Sequence, residues 1–527
     1  MRSLMRRIFV DRCWQAGLAI GLLFSAGSVI HAQRFTFPSE LESTMKSLDG
    51  TKSEGMFRHA YNDGSDVLSL LPQASNVHAG ILPIYGFTSY NSSYPQGDGD
   101  GALWQGRGVS GITRSGVEFG WDWGNIKIDP EWWFAQNQAY PYTSTAGQPY
   151  GDYWWGMDRL QAYGAGVYQT FGWGQSEARL NYGGFTLGFG TENLKIGPAE
   201  IQNIILSDNA SGFPLLDVGT DGPIVTAFGA FDARLFWGQT QLSSWYDSNQ
   251  STNKFLWTGG TMSYSPPFLD TMSFGFTRAF HSPWSTMDTW KVLEFFDDNL
   301  LKLARFAVPL QLNGEDDVDQ VLDLTWEWRI PQVGARTYIE WARNDSAADL
   351  LDLLMQPEHS DGYVMGLQQK IPIGNWGRLL LSVEIADLGN NIGTTIRGTG
   401  SWYRHSILDN GGVDGGYTNL GQVMGSPMGP GSNSQELNVY LDRDNWFVGL
   451  GFQRMIYDAD YFYTYAKQMG YYGYNLMLTG TLRFGITLTP HVELGSAFAF
   501  TNNWNMNFGS VAFAPNGHVE LAIKVHG

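Results

Sequence analysis

From about residue 104 to the C-terminus, apolar and polar side chains alternate with a period of two. The runs are not separated by the amphipathic helices of roughly 10 to 15 residues that βαβ units require. In Val117-Glu118-Phe119-Gly120-Trp121-Asp122-Trp123 every odd position is apolar and every even one is small or acidic. In Leu322-Asp323-Leu324-Thr325-Trp326-Glu327-Trp328-Arg329-Ile330, four polar side chains share one face. One face of each strand is thus greasy and aromatic, the other polar and charged. A soluble sandwich also alternates, but its apolar side forms an aliphatic core and its polar side faces water. Apolar faces ending in Trp and Tyr, with polar faces carrying both signs of charge, predict a transmembrane barrel whose outside meets lipid.

The same period marks Phe185 to Phe189, Phe231 to Trp237, Met272 to Phe276, Ala335 to Trp341 and Tyr363 to Leu367. It returns in Leu379 to Ile385, Leu437 to Leu441, Val448 to Phe452, Leu482 to Leu488 and Val519 to Val525. Tight turns at Ser265-Pro266-Pro267-Phe268, Pro331-Gln332-Val333-Gly334 and Thr489-Pro490-His491 read as the periplasmic side, and longer Gly, Asn and Asp-rich stretches alternate with them. Together with plausible partners the strands number roughly 14 to 18, enough to enclose a lumen several side chains wide. The expected fold class is all-β: a transmembrane antiparallel β-barrel spanning 104–527, closed so that no sheet edge is left exposed. Helical spacing is confined to Glu40 to Leu48, Trp290 to Arg305 and Ser346 to Met355. The first is expected in an N-terminal periplasmic or plug segment, 33–103, and the other two in surface loops or a lumen plug.

Residues 1–32 read as a secretory signal peptide. Arg2, Arg6, Arg7 and Arg12 precede an apolar run from Trp14 through Ile30, and His31-Ala32 marks the cleavage site. The single cysteine, Cys13, lies inside this signal, so the mature chain is expected to hold no disulfide and no thiolate metal site. Aromatics make up 15% of the chain, with 21 Trp and 25 Tyr, which suits aromatic girdles better than an ordinary globular core. The formal charge is -19 from 32 basic and 51 acidic residues, so nucleic acid, which needs clustered basic charge, is not an expected partner.

Few motifs carry chemistry. Gly106-Arg107-Gly108-Val109-Ser110-Gly111 spells a dinucleotide fingerprint, but an alternating strand follows it where a helix is needed. There is no Gly-x-Ser-x-Gly elbow and no His-Glu-x-x-His pair, and the nine histidines are scattered. Asp98-Gly99-Asp100 and Glu315-Asp316-Asp317 lack calcium-loop spacing and read as solvated loop acids. No cofactor or metal is expected, and no enzymatic activity, although carboxylates converging from different strands leave polysaccharide cleavage open as a minor alternative. Sugar binding requires flat aromatic faces beside planar hydrogen-bonding groups; candidates in the loops are Tyr140, Tyr142, Trp154, Trp155, Trp284, Tyr461 and Tyr463.

Two longer stretches resemble the Wzi family of outer-membrane capsule-assembly proteins. The first runs from Arg179-Leu180-Asn181-Tyr182-Gly183-Gly184-Phe185 through Thr191-Glu192-Asn193 and Gly197-Pro198 to Ile205-Leu206-Ser207-Asp208-Asn209-Ala210-Ser211-Gly212-Phe213-Pro214 and Gly219-Thr220. The second is Trp402-Tyr403-Arg404-His405-Ser406, then Gly416-Tyr417-Thr418-Asn419, Gly421-Gln422-Val423-Met424-Gly425 and Gly429-Pro430-Gly431-Ser432-Asn433-Ser434. The likeness in order and spacing spans about residues 104 to 527.

This resemblance implies an eighteen-stranded barrel with a periplasmic helical plug, a surface lectin that organises capsular or other surface polysaccharide without catalysis. Within its motifs Arg404, His405, Gln422 and Asn433 are the polysaccharide-binding candidates, joined by Trp154, Trp155 and Trp284 from the loops. The segment Phe35 to Gly80 is too polar and interrupted for a full helical bundle. The expected partners are surface polysaccharide and outer-membrane lipid, around a monomer exported to the bacterial outer membrane. A porin or carbohydrate-selective channel would share the same alternation and differs by an open lumen.

Overall fold

The computed structural model describes residues 36–50, 55–60, 68–70, 76–97, 99–140, 158, 166–246, 249, 252–284, 319–344, 354–355, 358, 360–390, 402–403, 415–467, 470, 473–506, 508 and 511–526. The signal over 1–32 and the helix expected over Trp290 to Arg305 lie outside these residues, as does the one over Ser346 to Met355 except for its last two positions.

Nearly every described strand joins one antiparallel sheet. From Gly229–Gln241 onward the chain runs through Lys254–Ser265, Met272–Pro283, Asp319–Ile330, Ala335–Asn344, Asp361–Pro372 and Arg378–Asp387. It continues through Asn433–Arg443, Trp446–Tyr457, Asn475–Thr489, Val492–Met506 and Val511–Val525. Each of these strands pairs with the one before it. Val511–Val525 also pairs with Ile84–Asn91, from His518 opposite Asn91 to Val525 opposite Ile84. The sheet therefore begins ahead of residue 104, where regular alternation first becomes conspicuous.

Local chemistry sets the turns. At the predicted Pro331 turn a short 3-10 segment, Pro331–Val333, ends on Gly334 at φ 60°. That left-handed conformation is one a side chain would resist. Val117 to Trp123 is strand only to Trp121, because Asp122 and Trp123 form the turn into Gly124–Ile128. Short turns such as this one lie at one end of the strands and the long connections at the other.

Burial along the strands is inside out. Val519, Leu521 and Ile523 are 37%, 60% and 41% exposed, while His518, Glu520 and Lys524 between and beside them are 1%, 5% and 7% exposed. A surface this apolar is stable against lipid and not against water, since soluble proteins rarely carry contiguous apolar patches above a few hundred Å². No described helix is long and apolar enough to cross a membrane.

The predicted N-terminal helix is present as α1, Pro38–Ser47. Pro38 occupies its first turn, and Glu40 reaches back to accept from the backbone N–H of Thr36 and Phe37 at 2.8 and 3.1 Å. Leu41, Met45 and Leu48 pack on Leu380, Tyr440 and Phe447, close to the short turns. Charged clasps hold its ends: the Ser39 hydroxyl donates to Glu493 at 2.6 Å, Arg329 donates to the Ser47 carbonyl at 2.9 Å and Lys370 to that of Met45 at 3.2 Å. Over the described part of Phe35 to Gly80 the chain forms one helix, α1, and the short strands Phe57–His59, Leu68–Ser69 and Val77–Ile81 rather than a helical bundle.

Candidate functional site

The two motif-bearing stretches come together on the buried side of the sheet. Residues 191–214 lie between the strands Phe185–Gly190 and Leu215–Thr220, and residues 415–432 lead into Asn433–Arg443. Both are rich in Gly, Pro and Asn, which suits irregular backbone, and both carry apolar residues that need a partner surface. They find it in each other. Ile204, Ile205 and Leu206 share one apolar cluster with Tyr403, Tyr417, Met424 and Met428, closed off by Trp257, Tyr338 and Trp402.

Irregular backbone buried this way must still satisfy its polar groups, and neighbouring stretches do so for each other. The Ser207 amide donates to the Met424 carbonyl at 2.8 Å, Asn209 Nδ2 to Val423 at 2.9 Å, and Asn419 Nδ2 to Ser211 at 2.9 Å. The hydroxyls of Tyr403 and Tyr417 donate to the Ile204 and Ile205 carbonyls at 2.8 and 3.0 Å. Burial pushes both of these hydroxyls above the ordinary tyrosine range, so they remain donors. Gly425 lies so close that a Cβ there would strike the Ile204 carbonyl and the Tyr403 hydroxyl.

Wall carboxylates complete the anchoring. Glu384 accepts from the amides of Glu200, Ile201 and Gln202 at 2.9, 3.2 and 2.8 Å and from the Tyr338 hydroxyl. Glu340 accepts from the amides of Ala199 and Ile204 at 2.7 and 3.1 Å. From the N-terminal side, Phe57–His59 pairs with Leu194–Ile196, and Arg58 donates to the Gly197 and Ala199 carbonyls, both at 2.7 Å.

Above this packed layer, at the end with the long connections, is a cavity of about 200 Å³. Tyr94, Trp104, Tyr140 and Tyr457 supply its aromatic faces. Gln96, Gln105, Gln422, Asn209, Asn475 and Asn503 supply amides, and Met428, Met455, Met477 and Met506 fill between them. Among the described residues no Asp, Glu, Lys, Arg or His lines it. The amides are held: Gln96 Nε2 donates to the Thr501 hydroxyl at 2.7 Å, and Asn516 Nδ2 donates to Gln96 Oε1 at 2.8 Å. The indole N–H of Trp104 donates to Asn137 Oδ1 at 3.2 Å, which fixes the plane of the ring.

Of the predicted site residues, Gln422 is in this cavity, on the short strand Gln422–Val423, with Nε2 3.5 Å from the Leu103 carbonyl. Asn433 is not; its Oδ1 accepts from Arg454 at 2.8 Å as part of the wall. Trp284 closes the strand Met272–Pro283, half-buried and away from the cavity. Arg404, His405, Trp154, Trp155 and Tyr142 lie outside the described residues, as do Asp98 and Glu315-Asp316-Asp317. Among the loop aromatics Tyr140 lines the cavity, Tyr461 packs on Phe508 at 4.9 Å and Tyr463 bonds the Tyr474 hydroxyl. Sequence reading missed Tyr94, Trp104, Tyr457 and most of the amides. The available signals were the Gln-Gly and Trp-Gln pairs bracketing the 96–105 hairpin loop, and the Asn-rich strand end at 502–505.

Among the described residues one group has metal-ligand spacing: His59, Glu177 and Glu192, with ligand atoms within 4.8 Å of one another. Its carboxylates already face cations, Lys127 on Glu192 and Arg179 on Glu177, and His59 Nδ1 is 2.6 Å from Glu192. That is an ion-pair network already balanced without a metal.

Neither a family model nor a curated protein sequence matches this chain. Solved structures do. Wzi of Escherichia coli, described as an outer-membrane protein involved in group 1 capsule assembly and a carbohydrate-binding β-barrel, is similar over 84% of this chain and 84% of its own. The TM-score is 0.56 at 12% identity. OccAB2 of Acinetobacter baumannii matches over 84% of this chain and 97% of its own, with a TM-score of 0.42 at 11% identity. An anion-selective porin from Comamonas acidovorans matches over 86% and 100%, with a TM-score of 0.35 at 12% identity. The likeness expected from the two motif stretches is therefore met at the level of structure, and it establishes the fold: a large antiparallel sheet of the outer-membrane β-barrel type.

Proposed function

We propose that this protein is a closed outer-membrane barrel that binds and organises capsular or other surface polysaccharide at the cell surface, and that it is neither a channel nor an enzyme. Closure into eighteen staves is supported by register. Val77–Ile81 runs on into Ile84–Asn91, and Gly108–Arg114 into Val117–Trp121, each pair facing the same partners as one strand. With Gly124–Ile128 and Glu131–Ala135 taken together, and likewise Tyr168–Gly172 with Glu177–Tyr182 and Leu215–Thr220 with Ile224–Thr226, every stave pairs with the next and the last with the first. A ring of that kind removes the edges that would otherwise be unsatisfied in lipid.

The observation that carries the reading is the aromatic and amide-lined cavity lying over an interior filled by residues 191–214 and 415–432. A transport path would need that interior open, whereas a retention site at the long-loop end does not. The described lining offers amide, aromatic and thioether groups, which suit holding hydroxyls and ring faces rather than moving protons. Wzi is described as carbohydrate-binding, and the proposal extends that property to this chain. Two measurements on the purified protein test it. Binding of the producing cell's own surface polysaccharide is expected and should be lost when the extracellular loops are cut back. In planar bilayers no stable sugar-sized conductance is expected; such a conductance would replace this reading with a porin.

A further inference from the structure

We infer that the cavity receives an uncharged, hydroxyl-rich stretch of the glycan and excludes its acidic groups; this rests on the polysaccharide-binding reading above. In a chain with 32 basic and 51 acidic residues, the described residues of the wall carry no formal charge, which selects ligand chemistry. A carboxylate or phosphate entering it would lose its hydration and meet no cation among the described residues, which is strongly unfavourable. Directly behind the wall the Asp100 carboxylate accepts from Gln105 Nε2. The nearby cation Arg107 is directed elsewhere, donating to the backbone carbonyls of Ser92 and Ala139.

That same contact with Asp100 fixes the Gln105 amide, since only its nitrogen can donate. Its Oε1 is thereby presented as a buried acceptor that meets no donor among the described residues, and Asn475 Oδ1 is in the same state. Sugar hydroxyls satisfy such acceptors without bringing charge. Trp104, its plane set by Asn137, offers the flat face on which a pyranose ring stacks. At about 200 Å³ the space is below the roughly 300–1,000 Å³ of pockets that enclose drug-sized ligands, so it takes a short piece of polymer.

The test uses full-length protein in detergent micelles and the producing cell's surface polysaccharide in two forms, native and with its carboxyl groups chemically reduced to alcohols. Equal affinity for the two forms is expected, with less than about a twofold change between low and high salt. Trp104→Ala should weaken both about tenfold and Trp104→Phe much less, as a stacking contact requires. Loss of binding on carboxyl reduction would overturn the inference and leave the polysaccharide-binding function standing. Unchanged affinity in Trp104→Ala, with the fold verified by the Trp104→Phe variant, would remove the glycan from this cavity. Failure of both polymer forms to bind the intact protein would sink the underlying reading as well.

Discussion

Along Val511–Val525 the apolar side chains turn outward and the polar ones inward, whereas in 191–214 and 415–432 the apolar side chains turn toward one another and are buried. The wall and its filling obey opposite rules because they meet different solvents. The wall's inner face is mixed: Phe236, Trp257, Tyr338 and Val364 join the filling's apolar cluster. Between them the carboxylates Glu340 and Glu384 satisfy backbone N–H groups of residues 199–204. Among the described residues charge mostly fixes protein to protein, and none of it lines the cavity described above.

The sharpest way to break that contrast is to remove a wall carboxylate. Glu384→Ala strands three amides and the Tyr338 hydroxyl in a buried site. A loss on the order of 3–5 kcal/mol is expected, because an unpaired buried group is penalised far more than a pair is rewarded. Denaturant unfolding in detergent reads it, and a loss below about 1 kcal/mol would mean that the filling is held by apolar packing instead. The complementary change is in the wall's outer face. Leu521 is 60% exposed, and Leu521→Arg should cost about 2–4 kcal/mol in lipid, with Leu521→Ala far milder. Equal tolerance of both would argue that this face does not meet hydrocarbon.

The wall was the more legible half for a physical reason. Alternation is a local signal, readable within seven residues, and every alternating run identified from sequence lies in the observed sheet, apart from the turn residues Asp122 and Trp123. Segments such as Ile84–Asn91 and Tyr168–Gly172 belong to the sheet as well, but their Gly, Ser, Thr and Gln content blurs the alternation. The filling has no period, so only its resemblance marked it out. Its function in packing rests on contacts such as Ser207 with Met424, more than two hundred residues apart. The cavity was the least legible, because Gln96, Gln422 and Asn503 converge from three distant parts of the chain. Gln422 was reached through a motif, while Asn433 in the same motif turns to Arg454.

Helix α1 tests whether the short-turn end follows the filling's rule. Met45 is fully buried between Leu41, Leu48 and the wall residues Leu380, Tyr440 and Phe447. Met45→Ala should destabilise by about 2–3 kcal/mol through the cavity it leaves. An unchanged melting temperature would mean that the clasps at Ser39, Ser47 and Lys370 hold the helix without its apolar face.

The smallest expected effect joins wall and filling by charge. Glu192, at the start of the 191–214 stretch, sits between His59 and Lys127. Burial alone would raise its pKa, but the His59 hydrogen bond and the Lys127 charge outweigh burial and bring it down to about 2. An unfolded glutamate titrates near ~4.3. The folded value being the lower one, the pairing stabilises the protein above pH ~4.3, and that contribution is lost as pH falls toward about 2. Glu192→Gln should therefore lower stability at pH 7 by on the order of 1 kcal/mol, a modest value because the His59 side chain is 38% exposed and screened by water. The difference between the two proteins should narrow steadily on acidification, followed by thermal melts in detergent from pH 7 to pH ~2. A gap that stayed constant with pH would show that Glu192 acts by shape and hydrogen bonding, as the residues of the filling do, and not by charge.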